Sequence, residues 1–400
     1  MKLFAFSFVI IFLAGCGIFM PAAEKDPEVF IAALWNVQAL FDGSTAGNEY
    51  GEYLDTAGWT TEKYAARVTA ISRAILEMGS ENREIQSGAL THDEDKSKNT
   101  IPLVPGLVGL VEIENAGILD DLAYGGLAKN GFYWTAFAKN SFSSLGIGFL
   151  SRFPITDTRV HSITIEGETA PRPVLEIRVE PCSKPLVFLL SHWKSKLGGD
   201  EATEETRRSS ARVILRRLRE IMENEPGTPV IVMGDLNENH DEFYRRGSSQ
   251  ITALLPDHPD AAEAAKAPDL YAKATASAKA AGKSAATSPA TRDFLVISHD
   301  RPPQSGYFSA DTAVLFSPWE EENSDVSRGS YFYKGGWETI DHFLLSDTLF
   351  TGTDCDYADF LVLNRTPFIN SRGAPNSYMP RNGGGLSDHL PLLLYLHYVE

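Results

Sequence analysis

Residues 230–237 read Val-Ile-Val-Met-Gly-Asp-Leu-Asn, and no other stretch constrains the fold as much. Four apolar, mostly β-branched residues make a buried strand. The strand runs into Gly234 and then sets out a carboxylate, Asp235, and an amide, Asn237. In an extended chain those two side chains share a face, so both can enter one cleft. A carboxylate there can take a proton from water or hold a metal ion, and an amide can orient a phosphate. A strand ending in a plain Asx turn gives the same letters. What separates the two readings is that other strand edges in this chain also carry a polar residue.

A strand at 30–35 ends at Asn36, one at 107–111 delivers Glu112, and one at 186–190 delivers His192. Further strands begin just after Asp341-His342 and just after Asp388-His389. A glycine-bearing strand spans 145–152 and a half-exposed one 174–179. Helical spacing of apolar residues predicts helices over 62–78 and about 202–224. The second holds a basic run from Arg207 to Arg219, which helix salt bridges and a solvated outer face explain. Residues 80–100 read as a loop. Residues 257–290, rich in Ala, Lys, Ser and Pro, read as a mobile excursion or an irregular helix. Strands and helices interleave, so the class is α/β or α+β. If the last two strands run opposite to the first four, Asn36, Glu112, His192, Asp235 with Asn237, Asp341, and Asp388 with His389 all lie on one edge of the sheets.

The chemistry of that set is coherent. It holds carboxylates, two His and two Asn, without the Cys-rich pattern of a structural zinc site. Oxygen ligands suit a hard cation, Mg²⁺ first, with Mn²⁺ and Ca²⁺ as alternatives. Carboxylate, cation and imidazole together suit phosphoryl chemistry.

The N-terminus has an address of its own. Lys2 precedes an apolar run over 3–13, closed by Leu13-Ala14-Gly15-Cys16. The run is too short to span a membrane and reads as a signal peptide, 1–15. A Cys in this position resembles a bacterial lipobox, so Cys16 is the expected lipidation site and 16–28 a tether. The domain then occupies 29–400, held outside the cytoplasm on a membrane. Of the 36 basic residues this removes Lys2 alone, so 35 stand against 53 acidic ones and the net charge goes from −17 to −18. Bulk charge therefore does not attract a polyanion, and any phosphate contact must be local or carried by metal ions. Cys182 and Cys355 remain, either as a disulfide or as two thiols.

In order along the chain, these motifs resemble the endonuclease/exonuclease/phosphatase superfamily, whose best-known member is DNase I. The resemblance runs through Trp35-Asn36-Val37 with Leu40-Phe41-Asp42, then Val111-Glu112-Ile113-Glu114-Asn115. Next come residues 146–152, the stretch Ser191-His192-Trp193-Lys194-Ser195-Lys196, and finally Gly234-Asp235-Leu236-Asn237, Ile340-Asp341-His342 and Ser387-Asp388-His389. It implies a four-layer sandwich, two packed mixed β-sheets with helices outside. It also implies roles: Glu112 as main metal ligand with Glu114 supporting it, and Asn36 and Asp388 associated with the metal. Asp235 and Asn237 would orient water or phosphate. Asp341 and His389 would form a His–carboxylate unit, and His192 would face the scissile phosphate. Lys194 and Lys196, in phase with His192, either reach phosphates or sit in a solvated loop.

Gln38 and Ser144 depart from the members specialised for abasic DNA, and His192 is one they lack. The reading is a metal-dependent phosphodiesterase, with a nuclease on DNA or RNA as the leading form and a bacterial secreted or membrane nuclease as the nearest branch. A phospholipid or sphingomyelin phosphodiesterase, a phosphomonoesterase and an inactive surface-binding lipoprotein are the alternatives. Nucleic acid is the expected substrate partner and the membrane the anchor. No protein partner is evident, and a monomer is expected. Aromatics at 317–338 could stack on bases, touch lipid, or pack over the sheet edge.

Overall fold

The computed structural model describes residues 29–79, 104–165, 167–170, 172–266, 292–304, 306–308, 312–320, 329–352 and 355–398. The expected signal peptide, Cys16 and tether, all of 80–100 and most of 257–290 lie outside the described residues. The strands are β1 (Val29–Leu40), β2 (Leu107–Ile113), β3 (Trp134–Ala138), β4 (Gly146–Ser151), β5 (Ile155–His161), β6 (Thr164–Ile165), β7 (Glu168–Thr169), β8 (Val174–Val179) and β9 (Leu186–His192). They continue as β10 (Val230–Asp235), β11 (Leu254–Pro256), β12 (Leu295–Ser298), β13 (Val314–Phe316), β14 (Tyr331–Tyr333), β15 (Gly336–Glu338), β16 (Asp341–Leu345), β17 (Cys355–Val362) and β18 (Leu392–Tyr398). The α-helices are α1 (Thr61–Glu77), α2 (Ala116–Asp120), α3 (Asp200–Asn224), α4 (Glu242–Arg245) and α5 (Pro259–Ala264).

Two large mixed sheets form, one ordered β17-β18-β1-β2-β4-β3 and the other β11-β12-β13-β16-β10-β9-β8-β5. Their central strands are apolar on both faces because both faces are covered. Along β9, Phe188 and Leu190 enter the main core, while Val187 and Leu189 enter a second cluster with Ile214 and Leu218 of α3. Along β10, Ile231 and Met233 go to the first core, and Val230 and Val232 to the second. Phe188 meets Phe30 and Phe149 of the other sheet at ring distances of 6.4 and 6.3 Å. Ile71 and Ile75 of α1 close the far side of the first sheet. The result is the expected order of helix, sheet, sheet, helix. A disulfide joins Cys182, in the β8–β9 connection, to Cys355 on β17, and so ties the two sheets. Among the described residues, no helix is long and apolar enough to cross a membrane.

Strand direction is what gathers the polar residues. β1 and β2 are parallel, as are β9 and β10, while β18 is antiparallel to β1 and β16 is antiparallel to β10. The ends of four strands and the starts of two therefore share one edge, as the sequence condition required.

Two expectations are corrected. β8 is buried along most of its length, not half exposed. Its Glu176 turns toward α3 and takes two hydrogen bonds from Arg217, at 2.7 and 2.8 Å. The basic run of α3 is a solvated face only in part: Arg216 is exposed, but Arg207, Arg208 and Arg217 are buried. Arg207 meets Glu204 and Glu238, and Arg208 meets Asp293. Carboxylates beneath the helix make this burial tolerable.

Candidate active site

At the end of β10 the chain needs a glycine. Gly234 has φ +148°, and a Cβ there would come within 1.8 Å of the Ser191 carbonyl oxygen on β9. That close approach sets Asp235 beside His192 in register. Asn237 then turns back: its N–H donates to Asp235 Oδ1 at 3.0 Å and its φ is +50°. The Asx turn and the cleft residue are thus one device, and Asn237 does not continue an extended strand. Its amide donates to the Trp193 carbonyl at 3.2 Å.

The end of β1 repeats the design. Gln38 N–H donates to Asn36 Oδ1 at 2.9 Å, and Gln38 and Ala39 have φ near +54° and +53°. A bulge follows in the pairing with β2, where Glu112 has φ +68°. Left-handed backbone at three non-glycine residues is unfavourable unless its surroundings enforce it. The enforcing group is Arg67 of α1. Its guanidinium, fully buried, donates to the carbonyls of Val37, Gln38 and Ala39 at 2.6, 2.5 and 2.9 Å and sits 3.7 Å from the Tyr378 ring centre. Ala39 N–H in turn holds Glu112 Oε2 at 2.8 Å. Glu114 accepts from Asp42 N–H at 2.8 Å; burial and the Asp42 and Glu49 carboxylates raise it to about 7.

The side chains converge on Asp235. Asn36 donates to its Oδ2 at 3.0 Å, while the Nε2 atoms of His192 and His389 lie 3.6 and 4.0 Å away. His192 Nε2 is also 4.0 Å from Glu112 Oε1. His389 Nδ1 pairs with Asp341 Oδ2 at 2.7 Å, and Ser330 donates to the same oxygen at 2.6 Å. Tyr331 covers the His389 ring at 4.6 Å, 27° from parallel. Backbone anchors fix the pair: Trp35 Nε1 donates to the His389 carbonyl and Trp319 Nε1 to the Asp341 carbonyl, at 3.0 and 2.8 Å.

Burial disfavours charge on both imidazoles, and the neighbouring charges drive their states apart. Burial would lower His389, but Asp341, Asp388 and Asp235 outweigh it and hold the imidazole up at about 10. His192 is pushed well down by burial, then by Arg172, His389 and Lys194. One imidazole is therefore cationic and the other neutral. Asp235 is raised, chiefly by burial and then by Asp341. Asp388 is raised by burial and by Glu112, with His389 opposing.

This donor set fits a hard divalent cation. Carboxylates crowd one cleft, the Glu112 side chain is 23% exposed, and Asp341 Oδ1 is buried without a hydrogen-bond partner. Ligand atoms of Asp235, Asp341 and His389 all lie within 4.8 Å of one another. The hydrogen bond between His389 and Asp341 already joins two of those three. Glu112, with one oxygen facing the cleft, together with Asn36 and Asp388, is the better candidate holder.

Sequence reasoning overstated one position and missed three. Lys196 is turned to Glu242 at 2.5 Å, and Lys194 lies partly exposed beside the Leu197 carbonyl. Arg67, Arg172 and Ser330 were not foreseen, whereas Tyr331 is one of the 317–338 aromatics. Arg172 donates to the Trp193 carbonyl and stands among Leu145, Gly146, Ile147 and His192. Of the unforeseen residues, only Arg172, just before an apolar strand, left any local signal.

Residues 31–249 match the Endonuclease/Exonuclease/phosphatase family. The chain belongs to this family. It is accordingly a hydrolase of phosphate esters, in a family whose enzymes use divalent metal ions. Solved structures similar to this family member include truncated TDP2 from Caenorhabditis elegans, 13% identical with a TM-score of 0.49 over 92% of this chain and 98% of that one. The human Nocturnin catalytic domain is 14% identical, with a TM-score of 0.47 over 93% and 94%. A mannosyl-6-phosphatase from Bacteroides thetaiotaomicron is 13% identical, with a TM-score of 0.46 over 92% and 99%. No curated protein sequence matches the chain.

Proposed function

We propose that the protein is a lipid-anchored, extracytoplasmic, metal-dependent phosphodiesterase, and specifically a nuclease acting on DNA or RNA. The observation that carries the reading is the convergence on Asp235 of Asn36, His192 and His389, with Glu112 and Asp341 at the next positions outward. Glu112, Asn36 and Asp388 would hold a divalent ion, Mg²⁺ foremost, which neutralises a phosphate oxygen.

The protein's own groups do the rest. Asp235, its proton affinity raised by burial, accepts a proton from the attacking water, oriented with Asn237. His389, kept cationic by Asp341, steadies the charge on the phosphate as the water oxygen bonds to phosphorus in line with the leaving oxygen. His192, kept neutral, hydrogen-bonds the leaving oxygen through a ring N–H as its bond to phosphorus breaks, and that oxygen takes its proton from solvent. Arg172 beside it is a local cation, which a chain of net charge −17 needs to meet a phosphate.

The lipobox-like run ending at Cys16 supports the anchor. The disulfide supports an oxidising compartment outside the cytoplasm.

The test is a domain beginning at residue 24, given plasmid DNA and RNA with Mg²⁺, Mn²⁺ or Ca²⁺. Cleavage that vanishes in EDTA and in both His192→Ala and Asp235→Ala supports the reading. Cleavage that survives EDTA, or absence of cleavage with all three ions, overturns it. For the anchor, Cys16→Ser should move the full chain from the membrane fraction to the soluble one.

A further inference from the structure

The hairpin formed by β14 and β15 holds more than hydrolysis needs. Its first strand is fastened to the catalytic pair: Tyr331 forms a β-bridge with His389, Leu390 N–H donates to the Ser330 carbonyl, and the Ser330 hydroxyl donates to Asp341. Residues two apart on a strand share a face, and here they build a file of rings. Tyr331 lies on His389 at 4.6 Å, and Tyr333 follows Tyr331 at 6.0 Å, 15° from parallel. The file runs outward, with Tyr333 48% exposed. Lys334 places its ammonium 5.0 Å from the Tyr333 ring centre on a long, flexible stem. The turn is fixed, since Lys334 and Gly335 take φ +47° and +86° in a two-residue connection.

Three rings in file from a catalytic imidazole, ending in an accessible flat face beside a cation, match one kind of occupant. We infer that Tyr333 is a base-stacking subsite, on which a nucleobase near the scissile phosphate lies while Lys334 swings to a neighbouring phosphate. The inference rests on the phosphodiesterase reading above and names its substrate class as nucleic acid. Stacking on a ring needs no particular base, which suits a nuclease of low sequence preference. A bilayer is the poorer occupant. The hairpin tip is Lys-Gly, the ring file ends in hydroxyls, and the most apolar exposed ring, Phe332, is partly covered by Trp337 at 5.1 Å.

Two readouts test this on wild type, Tyr333→Ala and Tyr333→Trp. One is the fluorescence of 2-aminopurine in a phosphorothioate-linked single strand with Mg²⁺, which stacking quenches. The other is the ratio of kcat/KM on a natural single strand to that on the same strand carrying tetrahydrofuran in place of nucleosides. The wild type should show quenching and about a tenfold preference for the base-bearing strand. Tyr333→Ala should lose both, and Tyr333→Trp should keep both. A quench and a preference that persist in Tyr333→Ala overturn the subsite.

Quenching that depends on Tyr333 without any cleavage supports the subsite and overturns the nuclease reading. Neither quenching nor cleavage overturns both. Binding to phosphatidylcholine vesicles that depends on Phe332 and Tyr333, without quenching, overturns the subsite in favour of a lipid surface.

Discussion

The two Asp-His dipeptides do opposite work. Asp341-His342 opens β16, and Asp388-His389 stands just ahead of β18; each lies beside the strand that ends in a cleft Asx turn. In the first, the carboxylate faces the cleft and the imidazole turns away. His342 is buried, hydrogen-bonded to the Glu238 carbonyl at 2.8 Å, and lowered by burial to about 4. In the second, the imidazole faces the cleft and is raised to about 10. The working pair, Asp341 with His389, takes one member from each sheet. Adjacent side chains on the extended strand β16 take opposite faces, so Asp341-His342 cannot supply both members.

The buried arginines behind the two edges differ in the same way. Arg67 grips backbone carbonyls under Asn36 and Glu112, whereas Arg207 grips carboxylates, Glu204 and Glu238, behind Asp235.

The largest expected effect separates the two imidazoles. His389→Gln should lower kcat about a thousandfold, while His342→Leu should leave kcat within about threefold and lower stability by about 1–3 kcal/mol. Equal losses of kcat in steady-state assays would break the comparison. Next come the two carboxylates. Asp341→Asn should lower kcat about a hundredfold at saturating metal. Asp388→Asn should instead raise the divalent ion concentration needed for half activity about tenfold.

A smaller effect separates the arginines. Arg67→Met should weaken Mn²⁺ binding about tenfold, measured by titration without substrate. Arg207→Met should leave that titration unchanged and reduce stability by about 3–5 kcal/mol, because two carboxylates lose their buried partner. The smallest is a pH slope. His342 binds its proton more weakly folded than unfolded, so it withdraws stability as pH falls from about 6.5 toward 4. The slope is at most ~1.4 kcal/mol per pH unit. Denaturant titrations of wild type and His342→Leu across that window should differ by this slope, and parallel curves would deny it.

Much of this was legible because strand edges announce themselves. An apolar run that stops at one polar residue marks both a buried strand and a cleft position, and this identified Asn36, Glu112, His192 and Asp235 without any contact map. The orientation of the last two strands was deduced as a condition, and the sheet pairing meets it. Other features were invisible for definite reasons. Arg67 reads as an ordinary residue on a helix, and only the left-handed loop folded beneath it makes it a clamp. The burial of β8 depends on Glu176 meeting Arg217, from a helix that follows later in the chain. The basic run of α3 looked solvated because its carboxylate partners come partly from distant segments.

What the sequence by itself determined is which residues end or open the buried strands, since hydrophobic runs and their polar stops are local properties. Which side of a strand faces the cleft was decided only by tertiary structure. Side chains alternate with a period of two, so a register fixed by pairing with another strand selects Asp341 over His342 and His389 as its partner. That choice depends on hydrogen bonds between segments far apart in sequence, and no local pattern encodes it.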